Sequence, residues 1–189
     1  MNTKQIRILM CAAVLSLFTF STQAQTTLTT TPAEDAMYDK GFRLGFGIAP
    51  GYVFEEPYDF ALGADVRLQY DFSQRYSITL TTGFTNLFAG DVNNVEVKDL
   101  GFIPLKAGFK AFIWEQSFYL MGEAGAGFPV TNDYKKTSAI VAPSIGWAND
   151  YFDLSLRYEY YSDFPSYDNT IANNGASQLA LRFAYGFRL

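Results

Sequence analysis

The chain has no histidine, and its single cysteine is Cys11. Without an imidazole, neither a Ser-His-acid triad nor a His-Asp pair can form. With no His and no Cys after residue 11, a transition-metal site lacks its usual ligands. Charge is sparse and leans acidic, with 14 Lys+Arg against 19 Asp+Glu and a net charge of −5 in 189 residues. That balance lacks the basic footprint of a nucleic-acid binder. Long apolar runs are scarce as well. Ile8 to Phe20 is apolar over 13 residues, too short to cross a bilayer as a helix.

That run sits in the setting of a secretory signal peptide. Lys4 and Arg7 give a positive start, and Ser21-Thr22-Gln23-Ala24 supplies small residues for a cut after Ala24. Cys11 is not a lipidation site, because Met10 is too large for the preceding position and too little apolar sequence comes before it. Residues 1–24 are therefore expected to be removed. This leaves 165 residues with no Cys and, once Lys4 and Arg7 are gone, a net charge of −7. Residues 25–40 are Thr-rich and broken by Pro32, and they read as a flexible periplasmic leader with no fold of its own.

Aromatics, by contrast, are abundant: 18 Phe and 13 Tyr with 2 Trp, 17% of the chain. From Gly41 onward they fall into period-two alternation, the mark of strands with two unlike faces. The final stretch shows it well. Leu179, Leu181, Phe183, Tyr185, Phe187 and Leu189 alternate with Gln178, Ala180, Arg182, Ala184, Gly186 and Arg188. Eight such strands are predicted, at about 41–53, 59–72, 75–87, 101–113, 117–128, 138–148, 151–161 and 177–189. The sixth is the weakest. Pro104, in the fourth, cannot donate to a ladder and is expected near a strand end or a bulge. Connections at 71–75, 113–117 and 149–150 are short, whereas 86–100, 129–137 and 162–176 are long and polar. Residues 55–58 make the one short connection in the long series.

Short turns at one end and long loops at the other form the layout of an all-β, eight-stranded antiparallel up-and-down transmembrane β-barrel over 41–189. Alternation alone does not say which face is outside, since a soluble barrel puts its apolar face around a ligand. Three features place the apolar face on lipid. The polar phase is mostly Gly, Ala, Ser and Thr, sizes that fit a narrow lumen. The apolar phase is nearly free of charge, as a lipid face must be. Tyr70, Phe72, Tyr76, Trp114, Trp147 and Tyr151 fall at or beside the short turns, where an aromatic girdle belongs.

Together the signal peptide, the eight alternating strands, the unequal connections and the closing Tyr185-x-Phe187-x-Leu189 resemble the small outer-membrane β-barrel family. This is the OmpA-like and OmpX-like eight-stranded group, in a style similar to that of Bacteroidota members. The resemblance implies a Gram-negative outer-membrane location reached by secretion, with outer-membrane lipid as surroundings. It implies periplasmic chaperones and the barrel-assembly machinery as partners in biogenesis, and a monomer as product. It also implies that Tyr185, Phe187 and Leu189 form the assembly signal. The family usually ends on an aromatic; here the end is Leu189, with Phe187 two positions earlier on the same face.

Inside the barrel, the polar phase places Asp65, Arg67, Lys106, Glu123, Arg157, Glu159 and Arg182 near mid-height, with further lumenal charges at Arg43, Asp71, Lys110, Asp153 and Arg188. Charges in a low-dielectric interior persist when paired and hydrogen-bonded. A lumenal ion-pair network is therefore predicted, either a self-satisfied plug or a gate on a narrow ion path. Glu123 and Glu159 could also serve carboxylate-only catalysis. Glu55, Glu56 and Asp59 form a solvated acidic loop or a Ca²⁺ site. Tyr134, Phe164 and Tyr167, among small polar residues of the long loops, suit a contact surface or interfacial anchoring. Gly45-x-Gly47 and Gly125-x-Gly127 lie within strands with no helix after them and read as small lumen residues rather than phosphate loops. The expected function is non-enzymatic, without cofactor or metal: a structural or surface-contact role through the loops. The alternatives are a small passive channel and a soluble ligand carrier.

Overall fold

The computed structural model describes residues 40–92, 95–96, 98–114, 117–131, 135–168 and 171–189. The signal peptide and leader lie outside them, as does Tyr134. Ten strands follow in order: β1 Gly41–Val53, β2 Tyr58–Asp71, β3 Tyr76–Ala89, β4 Asp91–Val92, β5 Val95–Glu96, β6 Leu100–Trp114, β7 Phe118–Pro129, β8 Ser138–Ala148, β9 Phe152–Asp168 and β10 Ile171–Arg188. Strands β4 and β5 pair only with each other, in the connection between β3 and β6. The other eight close into an antiparallel barrel in the order β1-β10-β9-β8-β7-β6-β3-β2. The seam is β1 against β10, from Arg43↔Arg188 to Val53↔Gln178.

The faces divide as the alternation requires. Along β3, Tyr76, Ile78, Leu80 and Phe84 are exposed while Ser77, Thr79, Thr81 and Thr85 are buried. Large apolar side chains stand exposed on all eight barrel strands, from Phe46 and Ile48 on β1 to Leu181 and Phe183 on β10. An apolar band of that extent cannot face water and suits hydrocarbon. Closure leaves no free strand edge within the band, so every strand meets the bilayer with a paired strand on either side.

Pro104 departs from expectation. It sits in the interior of β6, opposite Gly127 of β7, and the pairing of β6 with β3 lapses there, between Thr82↔Leu105 and Thr85↔Phe102. The missing N–H is accommodated by an interrupted ladder rather than by a strand end.

A second departure is larger. Residues 162–176, expected as a loop, are mostly strand, since β9 and β10 pair on to Ile171↔Asp168. Neighbouring barrel strands stop earlier, β8 at Tyr161 and β1 at Gln178. Beyond those points β9 and β10 form a two-stranded ribbon. Its register shifts between Asn174 and Ala176, around Gly175, whose φ of 111° is open to glycine without strain. Backbone bonds hold this ribbon, and it needs no lipid-facing phase, so its sequence carries no alternation.

Candidate functional site

The lumen holds three layers, built from inward-pointing positions of all eight strands. At the short-turn end lies an open vestibule of about 850 Å³. Arg43 of β1 and Lys110 of β6 reach into it, beside Gln69 and Asp71 of β2 and Asp153 of β9. Asp71 accepts from Arg43 Nε at 3.0 Å, Gln69 Nε2 at 2.6 Å and Ser77 Oγ at 2.6 Å. Asp153 accepts from Lys110 Nζ at 2.7 Å and from Tyr119 Oη at 2.6 Å. The Lys110 ammonium also lies 3.8 Å from the centre of the Tyr119 ring, a cation–π contact.

At mid-height the structure brings together all seven residues singled out above. Arg182 of β10 donates to both oxygens of Asp65 on β2, with Nε at 3.1 and 2.9 Å and Nη2 at 2.5 Å. Gly47 makes room for that guanidinium, since a β-carbon there would lie 2.8 Å from Arg182 Nη2. Arg157 of β9 is central. Its nitrogens lie 3.8 Å from Asp65, 3.4 Å from Glu123 and 3.3 Å from Glu159. Glu123 of β7 also accepts from Arg67 Nη2 at 3.3 Å and from Thr81 Oγ1 at 2.7 Å. Glu159 pairs with Lys106 and accepts from Gln178 and, at 2.6 Å, from Tyr161. Arg182 Nη1, 3.7 Å from Asp153, links this layer to the vestibule. All seven are buried or nearly so. Such a set is tolerable only because its members are mutually paired.

Toward the long loops the filling turns apolar. Val53, Leu87, Leu100, Phe102, Ile140, Tyr161 and Phe164 pack into one buried cluster with Tyr58, Ala61 and Ala176. The Phe102 ring lies 4.8 Å from Phe164 and 5.3 Å from Tyr161, centre to centre. Phe164 is therefore wholly buried and not part of a contact surface. It belongs to the rim of β9, where the ribbon folds its apolar residue inward. Sequence reasoning missed this layer. The signal available was that Leu87, Leu100 and Phe102 are large apolar residues standing in the lumenal phase. It also missed Tyr119, Tyr161, Thr81 and Gln178 as hydrogen-bond partners of the lumenal carboxylates.

Elsewhere, Phe72, Tyr76, Trp114, Trp147 and Tyr151 stand exposed beside the short turns, and Tyr70 is half-buried against Phe42. Phe72, Tyr76 and Phe109 pack ring on ring there. Tyr185, Phe187 and Leu189 all point outward on β10 and just past it. Glu55 is taken up by Ser177, whose N and Oγ donate to its carboxylate at 2.6 and 2.9 Å. It thereby laces the first loop to β10. No group of three potential metal ligands occurs among the described residues. Glu123 and Glu159, the candidates for carboxylate catalysis, are both bound to Arg157 between them.

No protein-family model and no curated protein sequence matches the chain. Solved structures do. Ail, the attachment invasion locus protein of Yersinia pestis, is 18% identical with a TM-score of 0.53; the match covers 79% of this chain and all of Ail. Ail has also been solved in complex with the heparin analogue sucrose octasulfate. The N-terminal β-barrel domain of Pseudomonas aeruginosa OprF is 10% identical with a TM-score of 0.54, over 79% of this chain and all of that domain. What is shared at such identities is the architecture: this chain has the fold of the small eight-stranded outer-membrane β-barrels.

Proposed function

We propose that the chain is a non-enzymatic integral outer-membrane β-barrel whose role is structural or is exercised through its extracellular loops. The observation that carries this reading is the lumen blocked twice in series, by the ion-pair layer around Arg157 and by the aromatic layer of Phe102, Tyr161 and Phe164. An eight-stranded barrel has room for its own side chains and little else, so the lumen serves as a strut and activity is left to the outer surface. The fold shared with Ail and OprF supports the outer-membrane location.

The connections at the long-loop end carry Glu55, Glu56, Asp91, Glu96, Asp99 and Asp133 against Lys98, Lys135 and Lys136. That balance suits a neutral or basic partner and repels a sulfated polyanion of the kind Ail binds. Tyr185, Phe187 and Leu189 present one continuous outward row, which supports a role in recognition by the assembly machinery, with the monomer as the assembled form. The deciding experiment is single-channel recording of the refolded protein in a planar bilayer. A silent bilayer with the protein inserted is the expected result. Steady unitary openings would replace this reading with the passive-channel one.

A further inference from the structure

The vestibule is more than the open end of a strut. Its lining includes five cationic side chains, Arg43, Arg67, Lys110, Arg182 and Arg188, against three carboxylates, Asp71, Asp150 and Asp153. All three carboxylates have cationic partners, and two of the cations hold deeper carboxylates, Arg182 on Asp65 and Arg67 on Glu123. Asp71 is held by Arg43, Gln69 and Ser77, and Asp153 by Lys110 and Tyr119. Asp150 stands at the mouth, its side chain 87% exposed and 3.8 Å from Arg43 Nη2.

Arg67, buried at 5% exposure on the vestibule wall, is only partly satisfied. Its Nε donates to Thr81 at 3.1 Å and its Nη2 to Glu123 at 3.3 Å. Its Nη1 is buried, and no described residue accepts from it. A guanidinium nitrogen left over in this way is a charge-assisted donor suited to one oxygen of a carboxylate or phosphate. A cavity of about 850 Å³ also lies within the size range of small-molecule sites.

We infer that the vestibule binds a small solute through its carboxylate or phosphate group, with Arg67 Nη1 donating to the oxyanion from a wall that also carries Lys110, Arg182 and Arg43. Entry is from the short-turn mouth, which in the outer membrane is the periplasmic side. The site lies inside the barrel and is independent of any loop partner. Solutes without a hydrogen-bond acceptor are disfavoured, because they would leave Arg67 Nη1 buried and unpaired.

The test is a titration of the folded protein, in uncharged detergent micelles at fixed ionic strength, with inorganic phosphate in one series and acetate in another. Backbone amide resonances are the readout. The expected result is saturable shifts at Gln69, Lys110, Ser117 and Ala184, with none at Leu87 or Ile140 in the apolar layer. Arg67→Lys keeps the charge and removes the Nη1 donor, and should weaken binding about tenfold, the worth of one charge-assisted hydrogen bond. Should that variant fail to fold, Arg43→Gln at the half-exposed mouth should still weaken binding measurably, and the wild-type titration decides alone. Shifts that stay linear with added anion, or that spread equally over both ends of the barrel, would overturn the site and leave Arg67 Nη1 to water.

Discussion

Removing the Glu123 carboxylate should expose what the lumenal ion pairs contribute. In Glu123→Ala, Thr81 loses its acceptor, Arg157 keeps Asp65 and Glu159, and Arg67 loses its one carboxylate among the described residues. Taking one partner from a buried pair costs about 3–5 kcal/mol, because the surviving charge stays buried without compensation. At about 1.4 kcal/mol per tenfold change, the folding constant should fall roughly 10²- to 10³-fold or more. With an m-value of about 1–3 kcal/mol per molar urea, the unfolding midpoint should drop by roughly 2 M. Both tryptophans of the chain, Trp114 and Trp147, sit on the lipid face and report unfolding from vesicles by fluorescence. The control is the double variant Glu123→Leu with Arg67→Met, which removes both charges and should recover most of the loss, since a paired set can be replaced by apolar residues at little cost. A midpoint within about 0.5 M of wild type for Glu123→Ala, or a double variant no better than the single, would refute the pairing as the reason these charges are tolerated.

Other parts of the fold make equally definite demands. Leu80 lies on the lipid face, between Leu68 and Ala107 of the flanking strands, so Leu80→Arg should cost about 2–4 kcal/mol when folding is measured in bilayers. A cost near zero would mean that the apolar phase does not face hydrocarbon. Gly125 is packed against the neighbouring backbone, where a β-carbon would lie 2.0 Å from the Leu105 carbonyl oxygen, whereas nothing lies within 4 Å of one added at Gly122. Gly125→Ala should therefore destabilise by about 1–3 kcal/mol or more and Gly122→Ala hardly at all, in the same urea assay. Equal effects at the two glycines would contradict the interstrand closeness of β6 and β7.

The strand phases were legible because lipid and lumen ask for opposite chemistry at successive positions. Phe60, Leu62, Ala64, Val66 and Leu68 could have only one partner environment once Asp65 and Arg67 occupied the other face. Residues 162–176 carry no such alternation, which is why they read as loop although backbone pairing makes most of them strand. The membership of the ion-pair layer was legible for the same reason as the phases. Its wiring was not. Arg182 reaches Asp65 across 117 residues of sequence because the barrel closes β10 onto β1, next to β2. The choice of Arg157 as the hub depends on shear between strands that no local pattern encodes. The apolar layer was hidden by the alternation rule itself. Taken one at a time, Phe102 and Leu87 are isolated apolar residues in the polar phase; they become a layer only when the closed barrel gathers them at one height.

Tyr161 ties the two blocking layers into one unit. Its hydroxyl donates to Glu159 at 2.6 Å, and its ring packs on Phe102 and, 5.1 Å away, on Phe164. The charged layer therefore orients the aromatic one, while the aromatic layer keeps water from the loop side off Glu159 and Arg157. The fillings change with depth. Charged groups and their partners line the open vestibule, an ion-paired layer fills mid-height, and hydrocarbon fills the far rim. This order separates stability from conduction. Breaking a single ion pair, as in Glu123→Ala, leaves the rings of Phe102, Tyr161 and Phe164 across the lumen, so that variant should unfold more readily and yet stay silent in a planar bilayer. If it conducted instead, the aromatic layer would not be a barrier in its own right, and the lumen would have to be understood as a single charged gate.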